Sequence, residues 1–234
     1  MELRTLVLQG SGPATARDWQ RATLPGMVIY SDGGAHDLKL WTRKIELFDA
    51  LLQNRYGDGS GDQGSPLTIS LLENEKAVSD QAGRKNLSGF YSSSTEGSFA
   101  VASRQPEYYK ERLSGQMSLF HEYAHHFMYR HFASAYPAWY REGFAEYVST
   151  TMFDSDWRAT FALPAVHRYG ELRKSPPSLK KILTASVDDF KPDEKARFYA
   201  WSWKLVHMLN ADSTRKAQLE QYLKLFSEGA DPIT

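Results

Sequence analysis

The chain has 234 residues, 41% of them hydrophobic and 24% charged, which suits one large globular domain or a domain with a small helical addition. Lys and Arg together number 28, as do Asp and Glu, so the formal net charge is zero and nothing electrostatic recommends nucleic acid or an anionic membrane as a partner. Cysteine is absent, which excludes disulfides and thiolate ligands, and no apolar run approaches membrane-spanning length.

The opening MELRTLVLQGSG carries a short Leu/Val patch but no signal-peptide core with a small-residue cleavage site, and residues 1–20 read as a loosely ordered segment. Gly26 to Ser31 (GMVIYS), set between Pro25-Gly26 and Asp32-Gly33-Gly34, is apolar and β-branched and predicts a strand. Leu38, Trp41, Ile45, Phe48, Leu51 and Leu52 then recur at helical spacing until the Gly-rich loop that begins at Gly57. A second strand is expected over Pro66 to Leu72 and a short polar helix over Glu75 to Ala82. Ser88 to Ser92 and Gly97 to Ser103 read as a hairpin across Ser93 to Glu96. Residues 21–112 thus predict a small mixed sheet with a helix on one face. It leads into the helices of residues 113–234, and the fold class is α+β.

Leu113, Ser114 and Gly115 mark a break, after which a helix is expected from about Gln116 to His131. On it His121 and His125 are four residues apart, so at about 100° per residue they lie roughly 40° apart on one face, where both imidazoles can reach one metal ion. Glu122 stands one step round the helix, where a carboxylate can face a water on the metal without being a ligand. That is the HExxH arrangement of zinc peptidases. The apolar residues around the histidines, Leu119, Phe120, Tyr123, Ala124, Phe127 and Met128, are those of a buried helix. Pro137 opens a second helix, where its missing N–H costs nothing, and this helix carries Glu142 and Glu146, again four apart on one face.

Beyond Glu146 the pattern is mostly helical. Thr150 to Leu163 reads as irregular or as a short strand pair, and Pro176-Pro177 breaks the chain. Leu179 to Leu183 predicts a short helix, Asp193 to Asn210 a strong amphipathic one, and Ser213 to Ser227 another. The close EGADPIT supplies no terminating element, so an extension of the natural chain at either end stays open.

HEYAHH followed by WYREGFAEY resembles the gluzincin metallopeptidases, and the order of motifs from about residue 26 to 210 is similar to that of the bacterial peptidase-MA-like group. The resemblance implies one Zn2+ per chain, held by His121, His125 and Glu142, with Glu122 as the general base. By the same resemblance Glu146 orients a ligating histidine through the ring nitrogen not used on the metal. Tyr199, at the head of YAWSWKLVHML, would donate to the oxyanion of the tetrahedral intermediate. Its plainer reading is a core tyrosine among Phe198, Trp201 and Trp203. Ser98, Phe99, Ala100, Val101 and Ala102 would form an edge strand to which an extended substrate adds, against the plainer reading of an ordinary edge.

The activity so implied is peptide-bond hydrolysis through a metal-activated water, on a peptide or protein substrate. The absence of an upstream GxMEN segment favours an endopeptidase over an aminopeptidase. Family resemblance favours a periplasmic or secreted protein, with the cytoplasm open, and the oligomeric state is undetermined. His126 reads as a packed structural histidine, and His36, His131, His167 and His207 as structural or solvent-facing. Arg141 reads equally as a surface residue or a carbonyl ligand. Asp154 and Asp156 are expected in a turn, since DSD lacks the glycine and closing glutamate of a calcium loop. Two other classes stay open: an inactive or weakly active zinc-binding domain used for protein interaction, and a metal-free helical module with a chance HExxH.

Overall fold

The computed structural model describes residues 2–7, 18–57, 66–95, 97–105, 114–132 and 136–233. The fold is α+β, and the chain divides into two compact units, residues 1–108 with 113–132 and residues 109–112 with 133–234. The first unit contains strands β1 (Glu2–Val7), β2 (Asp18–Leu24), β3 (Met27–Ser31), β4 (Leu67–Leu72), β5 (Gly89–Ser94) and β6 (Gly97–Ser103), and helices α1 (Ala35–Tyr56), α2 (Glu75–Ala82) and α3 (Gly115–His131). The strands form one mixed sheet in the order β1-β2-β3-β4-β6-β5. Pairings β3-β4 and β4-β6 are parallel and the others antiparallel.

Alternation along the three parallel strands builds the floor of the core. Ile29, Ile69 and Ala100 lie in one cross-strand row, and Ser31, Leu71 and Ala102 in the next, all buried. Their small and branched side chains leave room for α1 and α3, whose Phe48 and Phe120 rings stack with centroids 4.0 Å apart. Fully burying an aromatic of this kind contributes about 1.5–3 kcal/mol. On the other side of the sheet Val78 of α2 packs with Leu72 and Val101. Arg104, just past β6, ties the strand ends together. Its Nε and Nη2 donate to Asp32 Oδ1, which follows β3, at 3.0 and 2.6 Å, and its Nη1 donates to Asp37 Oδ2 in the first turn of α1 at 3.1 Å.

The expected loose segment over residues 1–20 is corrected in part: β1 and β2 pair antiparallel from Glu2↔Thr23 to Val7↔Asp18, while residues 8–17 lie outside the described ones. β2 in turn pairs with β3 through the two-residue turn Pro25-Gly26, whose Gly26 has φ 71°, a left-handed conformation that costs glycine no Cβ clash.

The second unit contains α4 (Ala138–Ser149), the short antiparallel pair β7 (Met152–Phe153) and β8 (Ala159–Thr160), and a 3-10 turn Val166–Arg168 that continues into α5 (Tyr169–Leu172). Then follow α6 (Leu179–Thr184), α7 (Pro192–Leu209) and α8 (Ser213–Ser227). α7 starts with Pro192 in its first turn and is capped by the Glu194 carboxylate, which accepts from the Lys191 N–H at 3.3 Å. Its Ser202 lies against Gly143 of α4 so closely that a Cβ at Gly143 would stand 2.5 Å from the Ser202 carbonyl oxygen. The unit boundary falls after Phe132 rather than near residue 112, so α3 belongs with the sheet.

Candidate functional site

In the first unit, α3 is anchored at its N-terminus. The Ser114 hydroxyl accepts from the Met117 N–H at 3.1 Å, and the Gly115 N–H donates to the Gln105 carbonyl at 3.0 Å. Glycine is needed there, since a Cβ would meet the Ser103 carbonyl oxygen at 2.2 Å. Phe120, Tyr123, Ala124 and Phe127 bury one side of the helix, and Tyr123 donates its hydroxyl proton to Asp49 Oδ1 of α1 at 2.6 Å. Burial first, then the Asp49 charge and that hydrogen bond, raise the Tyr123 pKa well above the usual phenol range.

His121 and His125 lie half-buried on the remaining face, with their Nε2 atoms 3.1 Å apart and their ring centroids 4.8 Å apart. Glu122, also half-buried, runs over the backbone of β5: a Cβ at Gly89 would stand 3.1 Å from Glu122 Cγ and 3.3 Å from its Oε1. The helix therefore brings His121 and His125 together, with Glu122 turned over β5.

His126 is a packed histidine, as expected. Its Nδ1 lies 3.2 Å from the Tyr91 hydroxyl, which itself donates to Ser98 Oγ at 3.2 Å. Burial above all, then the charges of Arg130 and His131, lower its pKa from 6.5 to about 3, so this ring is neutral.

Ser98, Phe99, Ala100, Val101 and Ala102 are not an edge. β6 is paired along both sides, with β4 and with β5, so its backbone groups are already committed to the sheet. Ala100 and Ala102 are fully buried as well, while Phe99 is 42% exposed with its ring edge-on to Phe90. Among the described residues the strand order ends on this side at β5, the strand on which Glu122 rests.

In the second unit, α4 presents Glu142 half-buried and Glu146 buried one turn later. Both oxygens of Glu146 are occupied: Arg168 donates through Nε to Oε2 at 2.9 Å and through Nη2 to Oε1, and His167 Nε2 lies 3.2 Å from Oε2. Desolvation alone would lower the Arg168 pKa, but the Glu146 charge and hydrogen bond outweigh it and hold the guanidinium charged. The Tyr199 ring of α7 lies under that guanidinium, 5.4 Å from ring centroid to Cζ.

No family model matches the chain, and no curated protein matches it.

The sequence reads His167 only as structural or solvent-facing, and it proves buried, while Arg168 goes unremarked there. They sit in a single 3-10 turn, too short for periodicity to mark, and nothing local announces that they meet a carboxylate some twenty positions earlier. Asp154 is in a turn as expected, its Oδ1 accepting from the N–H groups of Asp156 and Arg158, both at 2.9 Å. His207 stacks on Trp203 with centroids 5.1 Å apart, as a structural histidine does. No described helix is long and apolar enough to cross a membrane.

Proposed function

We propose that the chain is a zinc-dependent peptidase of the gluzincin kind, cleaving internal peptide bonds. The observation that carries the reading is the pair of Nε2 atoms converging to 3.1 Å on one face of α3, beside Glu122. Two histidines sharing a tetrahedral zinc, each about 2.0–2.1 Å from the ion, stand roughly 3.3 Å apart, so the pair is spaced for one cation. Glu142 joins them in this proposal as the third donor. Two imidazoles with one carboxylate are the donors zinc takes at catalytic sites.

A zinc ion, when bound, supplies a Lewis acid that polarises a carbonyl and lowers the pKa of water towards 7. Glu122 accepts a proton from the attacking water as the new C–O bond forms. It returns that proton to the departing amine as the C–N bond breaks. In this proposal Glu122 stands outside the ligand set and serves as the base. Tyr199 is the proposed donor to the oxyanion, a role whose loss typically costs about 10² to 10³ in rate. An extended substrate would add to β5, the last strand in the sheet order among the described residues.

Protein purified without added zinc should contain about one zinc per chain, and Glu122→Gln should keep that zinc while losing hydrolysis of a peptide library. Equal cleavage by the variant rules out the mechanism. Zinc in both proteins with cleavage by neither points instead to a zinc-binding interaction domain.

A further inference from the structure

Glu142 can serve as a ligand only if α4 holds a fixed rotation about its own axis. A carboxylate about 5 to 6 Å from a helix axis moves by roughly 2 Å when the helix turns by 20°, enough to take it out of bonding distance of an ion. Burial of Trp139, Phe144, Ala145 and Val148 and the ring contacts of Tyr147 with Phe161 and His207 seat α4 in the second unit, and two further contacts bear on its orientation. Gly143 against the Ser202 carbonyl sets how closely α4 approaches α7, but a contact with a glycine resists rotation poorly. The other contact is directional. Glu146, one turn after Glu142 and on the same face, is gripped at both oxygens by Arg168, whose fork matches a carboxylate in plane. His167 Nε2 adds a third contact, at Oε2.

The grip is dry and rigidly mounted. The side chains of Glu146 and His167 are 2% and 4% exposed and that of Arg168 17%. Arg168 is fixed from beneath by the Tyr199 ring, and at its backbone by the N–H donated to the carbonyl of fully buried Ala165 at 2.9 Å. We infer that Arg168 is a positioning residue for Glu142: by clamping Glu146 it fixes the rotation of α4 and so the direction of the carboxylate one turn away. The inference rests on Glu142 being a zinc ligand, as proposed above. It also gives Tyr199 a structural duty, supporting the guanidinium, that is independent of any contact with substrate.

Zinc affinity of the full chain, measured by competition with a chromophoric chelator, tests it. Arg168→Lys retains the charge beside Glu146 but not the fork, and is expected to weaken zinc binding roughly ten- to hundredfold, the usual effect of losing a partner that orients a ligand. The visible spectrum of the cobalt-loaded variant should shift, which a change in overall stability alone would not cause. Arg168→Met combined with Glu146→Gln removes both charges, leaving no buried ion unpaired, and should weaken zinc binding to a similar degree. Wild-type affinity and an unshifted cobalt spectrum in both variants overturn the inference. His121→Ala separates it from its premise. If that change leaves zinc binding intact, the metal site itself is wrong and the role of Arg168 falls with it. If zinc binding is lost there but unaffected in both Arg168 variants, the site stands and the clamp alone is refuted.

Discussion

Gly89 leaves the space that the Glu122 side chain fills. Its φ lies outside the left-handed region, so alanine fits the backbone, yet a Cβ there would crowd Glu122 Cγ and the Val101 carbonyl oxygen, each at 3.1 Å. Of the two, the side chain yields more readily than sheet backbone. On the proposed mechanism, Gly89→Ala is therefore expected to fold, to keep its zinc and to lose roughly ten- to hundredfold in kcat/KM as the proposed base is displaced. Full activity on the same peptide would show that Glu122 relaxes without cost. At this scale the motif residues were legible because a helix turns a spacing of four into a shared face, whatever surrounds it. Arg168 was not, because its contact with Glu146 spans 22 positions with no periodic signal between them.

Among the elements, α4 and α7 meet with little slack. Gly143→Ala would place a methyl group 2.5 Å from the Ser202 carbonyl, a clash with backbone that only separation of the two helices relieves. Overpacking of this kind costs about 1–3 kcal/mol, and the urea midpoint of unfolding should fall accordingly with the slope unchanged. Most elements could be read from pattern: α1, α2, α7 and β4 lie within a residue or a few of their expected bounds, because each buries a face with the period of its own geometry. β2 could not. Of residues 19–24 only Ala22 and Leu24 are buried, too few to show alternation. The signal that would have found it was Pro25-Gly26, read as a strand boundary when it is a hairpin turn. The hairpin β5-β6 was also expected, but not which of its strands faces outward. That depends on β4 pairing with β6 in parallel, a long-range choice. The near-continuous burial of GSFAVAS was its one local trace, as in strands covered on both faces.

For the molecule as a whole, the proposed metal site predicts a link between zinc and stability. A ligand that binds only the folded chain stabilises it by mass action, by about 4 kcal/mol when free zinc is a thousand times its dissociation constant. Thermal unfolding should therefore shift upward on adding zinc and back on adding a chelator, whereas His125→Ala should show neither change. The α+β class was legible from the succession of strands and helices, but the membership of α3 was not. Sequence order groups it with the helices that follow, while burial of Phe120, Ala124 and Phe127 binds it to the sheet that precedes it. That membership has a consequence for synthesis. Every residue of the first unit is translated before position 133, and domains generally fold as units as they leave the ribosome. The paired imidazoles can thus be in place on a nascent polypeptide before Glu142, the third donor of the proposed site, has emerged.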